Sequence, residues 1–175
     1  MPNGLSFPLA PGTNAFSTGQ VSGQSFLASD NSVYVAGVNV AGGFAATNGL
    51  SALVLGGTPI VTLPTAGVGT YNGIAFGGVA NNGAAYAASG GFSATYNFAS
   101  QAGSMNFSNF DGKNFSGSIT APSSGVYAAS LSGSGVFGAA AGQFYGTGAS
   151  STAGFFSIAN PAATYSAFGI YGGGH

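Results

Sequence analysis

The sequence predicts an all-β protein, namely a small antiparallel β-barrel of about eight strands with an additional N-terminal strand region. Three observations support this prediction. Apolar and polar side chains alternate along most of the chain, as in strands with one buried face. Turn residues interrupt the alternation at intervals of roughly 8–12 residues, the spacing of an antiparallel sandwich or barrel. Strong helix formers are scarce, because the chain has no Glu and one Lys, and Gly and Ser dilute its alanines.

The alternation is clearest in a few short segments. In "ATYNFAS" Tyr96 and Phe98 share one face, and in "SMNFSNF" Met105 and Phe107 do so. Turn sequences such as "ANNGA", "SGG", "NFDGKN" and "NPAA" separate the segments. Eight antiparallel strands can close into a barrel that leaves no sheet edge. We therefore assign strands to residues 70–79, 84–89, 91–99, 103–110, 114–121, 126–137, 142–147 with 152–159, and 163–171.

The composition excludes several classes of protein. Disordered chains combine low hydrophobicity with high net charge, whereas this chain is 45% hydrophobic, has 15 Phe and 8 Tyr, and carries a net charge of −1. One Lys cannot neutralise a phosphate backbone, so nucleic acid is excluded as a partner. Gly, Asn, Ser and Pro interrupt every apolar window, so no membrane-spanning segment is expected. With 2% charged residues, the chain has little electrostatic repulsion between its copies.

Residues that carry chemistry are few. The chain has no Cys and one His, His175, so it lacks the ligands of a zinc or transition-metal site. A Ser–His–Asp set or a carboxylate pair would have to use Asp30 and Asp111, and "FDGK" around Asp111 is typical of a turn. Calcium beside either Asp, and haem on His175, are weaker alternatives. We predict that the protein is not an enzyme, with no catalytic, cofactor-binding or metal-binding residues and no cofactor.

The segment "GQFYGTGASSTAGFFSI", residues 142–158, is the most distinctive stretch. It resembles the G-x-F-Y/F-G signature of the C-terminal β-barrel of transferrin-binding protein B-like proteins, which include surface lipoproteins and haemophores of Gram-negative bacteria. Segments 63–73, 92–119 and 165–175 resemble further strands of that family, in the same order. The resemblance implies this barrel for residues 63–175, with its signature at Gly142, Phe144, Tyr145, Gly146, Gly154, Phe155 and Phe156.

The chain also departs from the family's pattern. Ser150 and Ser151 stand near the place of an acidic residue, and the charged loops that family members use to contact host proteins are missing. The aromatic residues of segment 142–158 support a strand hairpin independently of the resemblance. Burial of Phe144 and of at least one of Phe155 and Phe156 is worth about 1.5–3 kcal/mol each. Tyr145 should point away from Phe144, with its hydroxyl in water or bonded to loop backbone.

Residues 1–62 lie outside the resemblance, and we assign them to an N-terminal extension with additional strands. Its start alternates apolar residues and includes Pro8, which cannot serve a central strand. Such a tail either folds back onto its own barrel or adds as a donor strand to the next copy. The second hypothesis assigns self-assembly to Leu5, Phe7, Leu9, Val33 and Val35.

These observations predict a structural subunit of an extracellular filament, surface coat or biofilm matrix that assembles from copies of itself by strand addition and apolar contact. The alternative is a secreted or surface binding module that captures a host protein or haem. The first residues, "MPNGLSFPLAPGTNAF", lack the basic and apolar regions of a signal peptide, so a mature form or another export route is expected. The predicted location is the exterior or the cell surface of a bacterium.

Overall fold

A computed structural model describes residues 10–18, 21–40, 52–119 and 125–175, and it confirms the all-β prediction. Eight antiparallel strands close into a barrel, and a separate four-stranded sheet precedes them. Within the described ranges, no helix is long and apolar enough to cross a membrane. Leu5, Phe7 and Leu9 lie outside the described residues. The division of the chain at residue 62 stays a prediction.

The four-stranded sheet is antiparallel, and its strands follow one another in chain order. Its alternating residues present one apolar face, which is the requirement for packing a sheet onto a second layer. The central strand β3 is buried along most of its length, from Val33 to Val38. The strands are β1 (Gly12–Thr18), β2 (Val21–Leu27), β3 (Val33–Val40) and β4 (Ala52–Gly57).

The barrel runs up and down through consecutive hairpins, and its last strand pairs with its first. Ile170 of the last strand faces Phe76 of the first in this closing register. Closure pairs both sides of every strand, so the barrel has no edge strand. The strands are β5 (Val68–Asn81), β6 (Ala84–Asn97), β7 (Ala102–Phe110), β8 (Lys113–Ile119), β9 (Val126–Gly133), β10 (Val136–Tyr145), β11 (Ser151–Ala159) and β12 (Tyr165–Gly174).

The predicted number of strands is confirmed, although several of the predicted strand boundaries are wrong. The predicted strands 84–89 and 91–99 are one strand, β6, because Gly90 and Gly91 stay in the ladder. Conversely, the predicted strand 126–137 contains the turn between β9 and β10, where Ser134 and Gly135 have φ values of 47° and 74°. The predicted strand 142–147 with 152–159 combines the end of β10 with β11, so the total stays at eight.

The barrel interior is filled by aromatic side chains. Phe107, for example, stacks on Phe115 with ring centroids 4.7 Å apart and meets Tyr171 edge-on at 5.5 Å. Aromatic pairs at such distances add about 0.5–1.5 kcal/mol each to the energy of burial. The interior is therefore a packed core. Its largest fully buried side chains are Tyr71, Tyr96, Tyr171, Phe107, Phe110, Phe144, Phe156, Met105, Leu131, Ile158 and Ile170.

The four-stranded sheet packs on the outer wall of the barrel in a second apolar cluster. Val33 and Val35 of β3 are 0% and 1% exposed there. They meet outward-facing barrel side chains, which include Ile74 and Ile170. The structure thus places these two proposed self-assembly residues in the layer between the sheet and the barrel. The whole cluster comprises Phe26, Ala28, Val33, Val35, Ile74, Tyr145, Ala153 and Ile170.

Candidate binding site at the sheet–barrel junction

The β10–β11 hairpin contains all seven signature residues. Gly142 faces Gly154 across the ladder, and a β-carbon at either position would collide with the backbone of the partner strand and with the Tyr171 hydroxyl. Phe144 and Phe156 point into the core, whereas Phe155 is 46% exposed on the outer wall. The glycines therefore allow the two strands to lie against a crowded aromatic interior.

Tyr145 ends β10 and Gly146 follows it, at the junction with the four-stranded sheet. Tyr145 does point away from Phe144, but its side chain is buried against the sheet, so of the two expected environments for its hydroxyl, water and loop backbone, the first is wrong. Burial raises the pKa of Tyr145. Gly146 has a φ of 74°, and a β-carbon there would collide with Ser150 and approach Asp30. A glycine is required at this position for both reasons.

Asp30 ties the four-stranded sheet to the β10–β11 loop. The Ser32 backbone N–H donates to Asp30 Oδ1 at 2.9 Å, and the Ser150 hydroxyl donates to Oδ2. Burial by itself would raise the pKa of Asp30, but these hydrogen bonds outweigh it and lower the pKa. Ser32 Oγ also lies 2.6 Å from Ser151 Oγ. Asp30 therefore stays ionised as a structural acceptor.

Buried tyrosines hold the same loop from inside the barrel. The Tyr71 hydroxyl donates to the Ala149 carbonyl at 2.8 Å. The Tyr171 hydroxyl donates to Tyr127 Oη at 3.1 Å, and Tyr127 is hydrogen-bonded to the Thr152 hydroxyl. Burial raises the pKa of Tyr127 to about 12. The loop is thus fixed on both of its sides, which makes it a rigid platform for binding.

A groove of about 600 Å³ opens between these two parts of the molecule. Residues 30–32, 58–62 and 146–148 line it. The segment 58–62 is held by backbone hydrogen bonds, since Thr58 N–H donates to the Ser32 carbonyl at 2.8 Å and Ile60 N–H donates to the Phe144 carbonyl at 3.0 Å. Val61 next to Ile60 is 94% exposed. The groove therefore presents an apolar tip beside polar loop groups, in the volume range of ligand sites.

His175 is packed, which differs from the mobile position that the glycine run before it predicts. Its backbone N–H donates to the Ser150 carbonyl at 3.2 Å, and its ring stacks on Tyr71 with centroids 5.4 Å apart. Gly172 to Gly174 are the end of β12. The imidazole thus contacts an aromatic ring at the barrel end, and this packing gives no support to haem ligation.

The other two charged side chains, Asp111 and Lys113, lie apart from Asp30. Asp111 accepts a hydrogen bond from the Tyr86 hydroxyl at 3.0 Å, and Lys113 Nζ lies 4.4 Å from the Tyr165 ring centroid. Both lie at the barrel end remote from Asp30, so the two carboxylates do not form a pair. Within the part of the chain that the structure describes, no three His, Cys, Asp or Glu residues cluster as metal ligands.

The groove is the part of the site that sequence analysis missed. Asp30 and Ser150 are 120 positions apart, so no local pattern connects them. The segment "GTPIVT" carries the one available signal, because the residue before a proline prefers an extended conformation. That signal indicates an extended connection over 58–62 but not which strand it lies against.

The structure is thus a filled barrel with a four-stranded sheet on its wall and a groove at the junction. Solved structures of transferrin-binding protein B are similar to this chain. The protein from Haemophilus parasuis matches with a TM-score of 0.69 and 14% identity over 94% of this chain and 37% of its own. The Neisseria meningitidis protein matches with a TM-score of 0.68 and 15% identity over 95% of this chain and 35% of its own. An Actinobacillus pleuropneumoniae structure matches with a TM-score of 0.63 and 15% identity over 82% of this chain and 76% of its own.

This likeness establishes the transferrin-binding protein B-like fold, which confirms the resemblance seen in the sequence. The chain spans about a third of the length of the first two relatives. No protein-family model matches the sequence, and a comparison with curated proteins finds no relative. By their names the structural relatives bind another protein, transferrin.

The prediction of a filament subunit is therefore wrong, and so are its corollaries of donor-strand exchange, a biofilm matrix and copies of itself as partners. The finding that overturns it is that the structures similar to this chain are named for binding transferrin, not copies of themselves. Two structural facts agree with the correction. The barrel is closed, and Val33 and Val35 are buried under it rather than offered to a neighbour.

Proposed function

We propose that this protein is a binding module of the bacterial cell surface that captures a host protein at the sheet–barrel junction. The observation that supports it is the shared architecture, since both the four-stranded sheet and the barrel align with transferrin-binding protein B over 94–95% of the chain. The packed barrel interior leaves the outer surface and the loops for binding. Loops on a rigid scaffold are the usual place for such contacts.

The groove provides the contact chemistry for a protein partner. Val61 projects from its rim as an exposed apolar anchor, and backbone and hydroxyl groups of residues 146–148 surround it. Apolar anchors inside a polar rim are the arrangement of protein interfaces. Asp30 is engaged by Ser32 and Ser150, so charge pairing contributes little, and binding should depend weakly on salt.

The test measures binding of the purified protein to iron-loaded serum transferrin and to a panel of other serum proteins by biolayer interferometry. Val61→Asp should weaken the observed binding at least about tenfold, because a charge would be desolvated in the interface. Phe137→Asp is the matched control, since Phe137 is an apolar residue, 54% exposed, near the opposite end of the barrel. Absence of binding to every serum protein, or equal loss in both variants, would overturn the proposal.

A further inference from the structure

A second cavity opens on the outer wall of the barrel, over β7, β8 and β9. It has a volume of about 320 Å³, at the lower end of the range for ligand pockets. Amide and hydroxyl side chains surround it, and the segments that carry the stacked rings of Phe107 and Phe115 form its base. Its exposed polar residues are Asn106, Ser108, Asn114, Ser116 and Ser132.

The strand ladders on both sides of β8 are irregular at this cavity. The register between β7 and β8 shifts between Phe107 and Phe110, and two partner pairs, one of them Ser116 with Ser132, join β8 to β9. A bulge leaves its extra residue outside the ladder and re-aims side chains, which is why bulges occur beside functional sites. The cavity therefore lies beside an irregular part of the sheet.

Asn114 is the best-positioned side chain of this cavity. Its Oδ1 accepts the Asn109 backbone N–H at 2.9 Å, and its own backbone N–H donates to Ser134 Oγ at 3.0 Å. The first bond fixes the side-chain amide, and the second fixes the backbone beside it. A side chain held in place by its neighbours costs less entropy on binding than a free one.

The cavity contains no charged side chain. Lys113 precedes Asn114 but lies over the Tyr165 ring, and Asp111 is hydrogen-bonded to Tyr86. An ionic ligand would therefore lose water without gaining a counter-charge. A purely apolar ligand would bury hydroxyl and amide groups without partners, which costs about 1–3 kcal/mol for each group. The lining thus selects a neutral ligand that both donates and accepts hydrogen bonds.

We propose that this cavity binds a neutral carbohydrate. Sugar hydroxyls donate and accept, as do the Ser hydroxyls and Asn amides that face them. The site is separate from the proposed protein-capture site, because β8 lies across the barrel ring from β12 and β5, where the four-stranded sheet packs. A glycan on one wall and a protein at the junction can therefore be held at the same time.

The experiment records ¹H–¹⁵N spectra of the whole chain with maltohexaose, cellohexaose and, as an acidic comparison, hexagalacturonate. We expect at least one neutral sugar to shift resonances of residues 106–116 and 132, with affinity unchanged between low and high salt. Asn106→Ala with Ser116→Ala should weaken this binding at least about tenfold. Ser157→Ala with Ser166→Ala, which alters exposed serines of β11 and β12, is the matched control and should have no effect.

The altered residues are exposed strand positions, so folding is retained and can be checked by circular dichroism. Absence of shifts with both neutral sugars at about 10 mM would overturn the proposal, because that concentration detects even millimolar affinity. Equal binding of the acidic sugar would also overturn it, as would shifts that persist in the Asn106 and Ser116 double variant. None of these outcomes bears on capture of a host protein at the junction.

Discussion

Gly37 of β3 lies directly against the ring of Phe76 on β5, so closely that a β-carbon at Gly37 would overlap the ring. This contact sets how near the four-stranded sheet approaches the barrel wall. Gly37 has no side chain and Phe76 has a large one, so the surfaces of the sheet and the barrel are complementary at this point. The same closeness recurs nearby, where a β-carbon at Gly172 would lie 2.8 Å from Val35 Cγ2.

Gly37→Val should destabilise the fold by about 2–3 kcal/mol, because the new side chain overpacks the layer between sheet and barrel. Urea denaturation measures the loss as a lower midpoint. Gly56→Val is the control, since Gly56 is an exposed strand residue with open space around its β-position, and valine suits a strand. Equal stability of the two variants would show that the sheet does not pack on Phe76 as described.

Phe155 and Phe156 are neighbours in sequence with opposite environments, and they should respond very differently to truncation. Phe156 is 1% exposed in the barrel core, so Phe156→Ala should cost about 3–5 kcal/mol. Phe155 is 46% exposed, and Phe155→Ala should cost about 1 kcal/mol or less. Thermal denaturation of the two variants tests the register of β11, because a shift by one residue would exchange the two results.

Alkaline pH should destabilise the protein through its buried tyrosines. Burial raises the pKa of Tyr127 from 10.0 to about 12 and raises that of Tyr171 as well. The unfolded chain therefore loses these protons first. The contribution to stability is complete below about pH 10 and is lost as pH rises toward 12, at about 1.4 kcal/mol per pH unit for each residue.

Tyr127→Phe separates this effect from general alkaline unfolding. The variant should be less stable at pH 7 by about 1 kcal/mol, because it lacks the hydrogen bonds with Thr152 and Tyr171. It should also lose stability less steeply between pH 10 and 12. Urea midpoints at pH 7, 10, 11 and 12 give both quantities. An unchanged slope would mean that Tyr127 already ionises freely in the folded protein.

The barrel was predictable because one face of each strand meets a packed interior, and burial imposes the alternation that the sequence displays. Gly90 with Gly91 and Ser134 with Gly135 show where such inference ends. Both pairs have the composition of a turn, yet the first stays extended because 14 residues of β6 pair with 14 of β5. Pairing with the distant residues of β5 keeps Gly90 and Gly91 extended, and a short stretch of sequence carries no information about that pairing.

The candidate sites were less predictable for a similar reason. The groove depends on Asp30, Thr58 and Gly146, which come from three distant segments without shared periodicity. The inference from low charge to self-association failed because it treated the surface as uniform. The closed barrel without edges was predicted from the sequence, but the covering of β3 by the barrel wall was not.

Lys113 carries the chain's one side-chain primary amine, and it lies at the start of β8, over Tyr165. This end of the barrel is remote from the junction between the sheet and the β10–β11 loop. Reagents that react with lysine therefore modify a single side chain, in addition to the α-amino group of the N-terminus. Coupling through Lys113 would fix every molecule on a sensor or a resin in one orientation, with the groove directed outward.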